Sequence, residues 1–246
     1  MIALLKKEIF GFLNSLIGYI VIIVFLLVIG LFLWVVPLQR LQLNIPDSGY
    51  ANIDGLFILA PFVFLFLIPA ITMRSFADER RSGTLELLMT QPLTDLQVIL
   101  AKYLAGVVLV IFSLVPTLVY FFSVYHLGFP PGNLDTGGMW GSYIGLLFLG
   151  STFVAIGIFA SSISDSQIVS FIIAVFLSAF FYIGFELFYT YILSGRIGLI
   201  IQSIGINAHY SSISRGVIDT RDLVYFISIS GFFILLTKLS LESRKW

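Results

Sequence analysis

The chain has 246 residues, 59% of them hydrophobic and 11% charged, with a mean hydropathy of +1.07 and a formal net charge of zero. That balance excludes a soluble domain wrapped in polar surface and offers nothing to a nucleic-acid backbone. With no cysteine, disulfides, thiol catalysis and thiolate metal sites are excluded together.

A helix needs roughly 20 apolar residues to cross a bilayer, and the sequence holds six such runs. The first covers residues 15–36 and ends at Pro37. Lys6 and Lys7 precede it as they would precede a signal peptide, but the run is too long and no Ala-x-Ala site follows. A retained span is expected. The second run, 55–73, is bounded by Asp54 and Arg74; the third is 103–125 and the fourth 139–161. The fifth, 168–185, is stopped by Glu186, and the sixth, 223–237, extends by a residue or two at each end. Pro61, Pro69 and Pro116 are expected to kink their helices. Gly141, Gly145 and Gly150 allow close helix approach within a subunit or across a dimer.

Lys and Arg stay on the cytoplasmic side. With both termini inside, the cytoplasmic segments hold nine: Lys6, Lys7, Arg74, Arg80, Arg81, Lys102, Lys238, Arg244 and Lys245. The outer segments hold four, Arg40, Arg196, Arg215 and Arg221, which favours that orientation. Three of those four lie in the outer segment 186–222, where Glu186, Asp219 and Asp222 match them.

Eight of the 26 charged residues fall in 74–102, between the second and third runs. A chain this apolar that gathers charge on one loop uses it to meet something in water. The spacings Arg74/Asp78 and Asp78/Arg81 put both pairs on one helical face, which extends the second helix until Gly83 stops it. Residues 84–90 then make about two turns with Leu85, Leu88 and Met89 on one side, expected to face a partner. Gln91-Pro92 ends this helix, and Thr94-x-x-Gln97 reads as the capping box of the next. The competing reading is a solvated connector whose leucines rest on the headgroups.

The ordered pattern Glu79-Arg80-x-x-Gly83-Thr84-Leu85-Glu86-Leu87-Leu88-x-x-x-Pro92-Leu93-x-x-x-x-Val98-x-x-x-Lys102 resembles the signature of ABC-2-type transporter permeases, in the place where that family carries it. The resemblance implies an all-α polytopic membrane protein of six helices, forming one domain over 1–246 in a bacterial inner membrane. It implies that 74–102 carries a coupling helix, with Glu79, Arg80, Gly83, Thr84, Leu85, Glu86, Leu88, Met89 and Pro92 meeting a separate ABC ATPase. ATP and Mg would sit on that ATPase. No Gly-x-x-x-x-Gly-Lys-Ser/Thr loop occurs in this chain, which binds no cofactor in this reading. Residues 1–14 resemble the family's interfacial connecting helix: Leu4, Leu5, Ile9 and Phe12 share an apolar side while Lys6 and Lys7 lie near phosphates. A second permease copy or a related subunit is implied, with Phe25, Leu26 and Ile29, and Phe176, Phe180 and Tyr182, as contact surface. A narrower resemblance, to gliding-motility ABC transporter permeases of Bacteroidetes-type bacteria, rests on residues 3–9, the loop pattern and residues 210–225.

In the family, the segment after the fifth helix dips partly into the membrane and caps the pathway. Here 193–196 gives a turn, 197–206 is a glycine-broken apolar stretch too short to span, and 214–216 turns again. Asp219 is placed to cap the sixth helix. Glu186, Arg196, Arg215 and Asp219 are the gate candidates, with Arg196 or Arg215 as partner for Glu186. His126 and His209 fall on loops far apart and form no metal cluster. A scaffold that docks an ATPase without exporting anything stays open. A secondary transporter lacks its expected repeats and midplane charges, and a membrane enzyme lacks a catalytic set.

Overall fold

An apolar backbone in lipid must bond its polar groups internally, and every described regular element is a helix. The computed structural model describes all residues except 37–42, 50, 90–91, 192–195, 218 and 244–246. In chain order α1 is Ile2–Leu13, α2 Leu16–Trp34, α3 Ile45–Ser48 and α4 Asp54–Thr72. The loop helices α5 (Ala77–Arg81) and α6 (Thr84–Met89) lead to α7 (Asp95–Leu114) and α8 (Leu118–Leu127). Next come α9 (Thr136–Ile163), α10 (Gln167–Ala179) and α11 (Phe185–Tyr191). Two short helices, α12 (Arg196–Gln202) and α13 (Ile206–Ile213), precede α14 (Thr220–Glu242).

Among the described residues five stretches are long and apolar enough to cross a membrane: Asp54–Arg81, Asp95–Leu127, Thr136–Ile163, Gln167–Tyr191 and Thr220–Glu242. The α1–α2 pair, bent by 63°, makes a sixth among these residues when it is taken as one span. Ser15 starts α2 as read from the sequence, its hydroxyl accepting from Gly18 N at 3.1 Å. The other bounds run wider than hydropathy alone gives. The third span begins at the Thr94/Gln97 box, whose reciprocal bonds measure 3.4 and 3.2 Å, and it breaks at Pro116 into a 3-10 turn, Val115–Thr117. The fifth does not stop at Glu186. It widens through a π-turn, Phe180–Gly184, and continues to Tyr191. The sixth runs from its Asp219 cap to Glu242, several residues beyond the apolar stretch at each end. Hydropathy marks the dry part of a helix; capped polar turns lengthen it.

The mast of the bundle is α9. Its most apolar window is 78% buried inside the protein, against 22% for the fifth and sixth spans, which are mostly exposed on this subunit. Small residues make this possible. Gly145 meets the Tyr210 ring, Gly150 meets Val110 and Phe64, and Gly157 sits against Thr72. The glycines read from the sequence therefore serve packing within the subunit. Three of the expected dimer contacts are also internal: Phe25 and Ile29 are fully buried, Phe25 stacking on Phe64 at 5.2 Å, and Tyr182 is enclosed by Phe62 and Phe153. Aromatic bulk reads alike toward a core and toward a partner. Phe176 and Phe180 do remain at the surface.

Candidate functional site

At one end of the bundle, α4 stops at Thr72 and a turn leads into α5. That turn is fastened to α9. The Ser161 hydroxyl accepts from the backbone N–H of Phe76 at 2.9 Å and of Ala77 at 3.1 Å, and donates to Met73 O at 3.0 Å. Gly83, at φ +70°, ends α5 in the left-handed conformation expected of it, with Gly83 N–H donating to Arg80 O. The Thr84 hydroxyl donates to Glu79 O at 3.3 Å and sets the angle at which α6 leaves.

Lys102 holds this corner together. Its side chain is 2% exposed, and its ammonium lies 2.8 Å from Glu79 Oε1 and 3.1 Å from Glu8 Oε1, with the Phe76 ring centroid at 5.1 Å. One cation thus joins α1, α5 and α7. A buried ammonium between two carboxylates is stable only while all three stay in place, so movement of α5 is felt by α1 and by the third span together. Arg80 makes a second clamp: its side chain is 6% exposed and pairs at 2.9 Å with the open carboxylate of Asp165, in the turn between α9 and α10. Arg80 Nε and Nη2 and Glu79 Oε2 are buried with no partner among the described residues.

Glu79, Arg80, Gly83 and Thr84 therefore form the frame from which α6 projects. Glu86 and Pro92 are exposed, and the side chains of Leu88 and Met89 lie outside the described residues. Leu85 is half-buried against the subunit's own core rather than turned wholly to a partner. The pairs Arg74/Asp78 and Asp78/Arg81 do not form among the described residues. Asp78 accepts from Gln167 instead, and Arg80 reaches Asp165, because the helix breaks at 73–76 and turns these charges toward the α9–α10 turn. Sequence reasoning missed Glu8, Ser161, Asp165 and Gln167. The available signals were Lys102 beside a long apolar run and a lone acid between two spans.

At the opposite end, α13 lies on the first half of α9. Gly141 and the 213–216 turn come so close that a Cβ on Gly141 would stand 2.8 Å from Gly216 Cα, and Ser142 Oγ donates to Ser214 O at 2.9 Å. Tyr210 completes α4. Pro61 has no N–H for the carbonyl of Phe57, and the Tyr210 hydroxyl donates to that oxygen at 2.7 Å. Burial pushes the Tyr210 phenol well above its ordinary pKa and keeps it a donor. His209 lies in α13, not on a loop, and His126 in the last turn of α8. Both ring nitrogens of His209 face acceptors, Asp222 Oδ1 at 2.6 Å and Ser203 O at 2.8 Å, and the ring stacks on Tyr225 at 3.7 Å. A carboxylate thirteen residues away escaped sequence spacing.

Among the described residues Glu186 accepts from Asn207 of α13 rather than from Arg215. Arg215 Nε donates to Ser211 O at 3.1 Å, and the Arg196 side chain lies outside the described residues. Asp219 caps α14 as expected, accepting from Arg221 N at 3.0 Å. Between α4, α9, the π-turn and α13 lies a cavity of about 780 Å³, with Asp54, Phe57, Tyr182, Glu186, Tyr210 and Arg215 in its walls. No group of three His, Cys, Asp or Glu side chains gathers to hold a metal among the described residues.

No curated protein matches the chain significantly. A family model described as "ABC-2 family transporter protein" matches residues 2–239, nearly its whole length. The chain belongs to that family and is a multi-pass membrane permease component, a domain that does not itself hydrolyse ATP.

Proposed function

We propose that this permease couples ATP hydrolysis on a separate ABC ATPase to export or mechanical work across the inner membrane, as part of gliding motility. Both termini and the 74–102 loop face the cytoplasm in this reading, in line with the nine-to-four division of Lys and Arg. The ATPase docks on α6, holding ATP and Mg itself, and a second permease copy or related subunit completes the transporter. The observation that carries the proposal is the Lys102 joint. It ties the frame of α6 to α1 and α7, while Ser161 ties the same frame to the central helix. A passive connector has no need of buried ion pairs. Helix α4 is continuous from Thr72 to the Tyr210 contact at Phe57, so a push at Glu79–Arg80, carried across the 73–76 turn that Ser161 fastens to α9, has a path to the gate candidates Glu186, Arg196, Arg215 and Asp219. The motility assignment is supported by the resemblance of residues 3–9 and 210–225 to gliding-motility permeases.

The test is co-purification. Leu88→Asp places a charge where an apolar docking face is proposed and costs on the order of several kcal/mol if that face is buried by the ATPase. Detergent-solubilised permease carrying Leu88→Asp is expected to lose its ATPase, and cells carrying it to stop gliding. Full retention of the ATPase overturns the docking role of α6.

A further inference from the structure

We propose that the cavity at the end of the bundle opposite α6 is a binding site for an organic cation with an apolar body. The inference rests on the permease reading only for the use of such a site in transport; the binding itself stands on the cavity. At about 780 Å³ it has the size of a small-molecule site. Its lining carries three carboxylates, Asp54, Asp135 and Glu186, against one guanidinium, Arg215, a sum of minus two. Asp54 opens α4 and Asp135 caps α9, and both line the same cavity. Among the described residues no cation pairs with either. A positive group in the cavity is attracted by this excess of carboxylates, whereas an anion is repelled.

The rest of the wall selects a ligand larger than an ion. Phe57, Ile58 and Phe62 of α4 and Tyr182 and Ile183 of the π-turn give the cavity an apolar, aromatic wall. Ring faces accept a delocalised cation at little cost in hydration. Ile58 and Phe62 are about half exposed, so this side of α4 opens toward the lipid-facing surface, and a lipophilic body can enter from there. The π-turn is what turns Tyr182 inward, where it is held edge-on by Phe62 and Phe153 at 5.9 and 6.1 Å. A π-turn within a helix commonly marks a functional position.

Tetraphenylphosphonium and tetraphenylborate have nearly the same size and shape and opposite charge, which makes them the probe pair. Saturable binding is measured on the full permease in zwitterionic nanodiscs, above the background of empty discs. The wild-type protein is expected to bind the phosphonium and not the borate. The double variant Asp54→Asn, Asp135→Asn keeps the helix cap, since Asn caps as well as Asp, and is expected to weaken phosphonium binding roughly fivefold. Arg215→Gln removes the one lining cation and is expected to tighten it. Equal binding of both ions, absent phosphonium binding, or affinities unmoved in both variants would each overturn the proposal. ATPase co-purification is scored on the same wild-type preparations. Phosphonium binding that fails while the ATPase stays bound defeats the cavity assignment alone, and the reverse result defeats the coupling reading alone.

Discussion

Two side chains fix the ends of the mechanical path. Lys102 is the stronger, because its ammonium has exchanged water for Glu79 and Glu8. Lys102→Met removes the cation that pairs Glu79 and Glu8, a loss on the order of 3 kcal/mol for a broken buried pair. Detergent unfolding should show that loss, and Glu79→Gln added to Lys102→Met should recover part of it, since the second change removes one of the stranded charges. Equal stability of Lys102→Met and wild type would mean that the joint is a solvated contact. At the other end, Tyr210→Phe keeps the ring and removes the donor to Phe57 O. An orphaned buried carbonyl costs about 1–3 kcal/mol. The expected phenotype is a lower melting point together with faster protease cleavage in 196–217, because the outer helices lose their bond to α4. A drop in melting point with cleavage unchanged would place the effect in α4 alone.

The contact between α4 and α9 decides whether the loop frame moves with the core. At Gly157 a Cβ would stand 2.0 Å from Thr72 Oγ1, so Gly157→Ala must push the two helices apart beside the Ser161 anchor. Overpacking of this kind costs about 1–3 kcal/mol. Gly231 of α14 has nothing near its Cβ position, and Gly231→Ala should stabilise that helix by about 0.5–1 kcal/mol. Opposite signs for the same substitution would be read directly as shifts in unfolding midpoint; a loss at Gly231 would point to a surface closed by a neighbouring subunit. These contacts also show what the sequence can and cannot disclose. The capping box at Thr94 and Gln97, the stop at Gly83 and the Asp219 cap are local, and each was legible from spacing within four residues. Lys102 finds Glu8 across 94 residues and Glu79 across 23, and Asp78 finds Gln167 across 89. No helical periodicity carries such pairings. Glu186 looked like a stop for the same reason, since the Asn207 that satisfies it arrives on a separate helix.

In the whole molecule, the loop frame and the outer helices lie at opposite ends of α4 and α9, and the two long helices carry any motion between them. The outer helices rest on α9 by close backbone approach at Gly141 and Gly216, by the Ser142–Ser214 bond and by the buried side chains of Ile206, Tyr210 and Ile213. The loop frame, by contrast, is fixed by ions and by Ser161. A stroke delivered to the loop frame is expected to leave at the other end, where 206–216 would lift from α9 and uncover the cavity. The absence of native cysteine makes this directly testable. Ser142→Cys with Ser214→Cys puts a thiol on each side of the contact where the Ser142 hydroxyl donates to the Ser214 carbonyl, and a reducible bis-thiol cross-linker should lock the outer helices down. The locked protein is expected to keep its ATPase bound, because the frame is untouched, and to lose gliding or transport, with both restored by reductant. Normal function in the locked state would show that 206–216 is a fixed cap, and work done by the transporter would then have to leave through the exposed fifth and sixth spans.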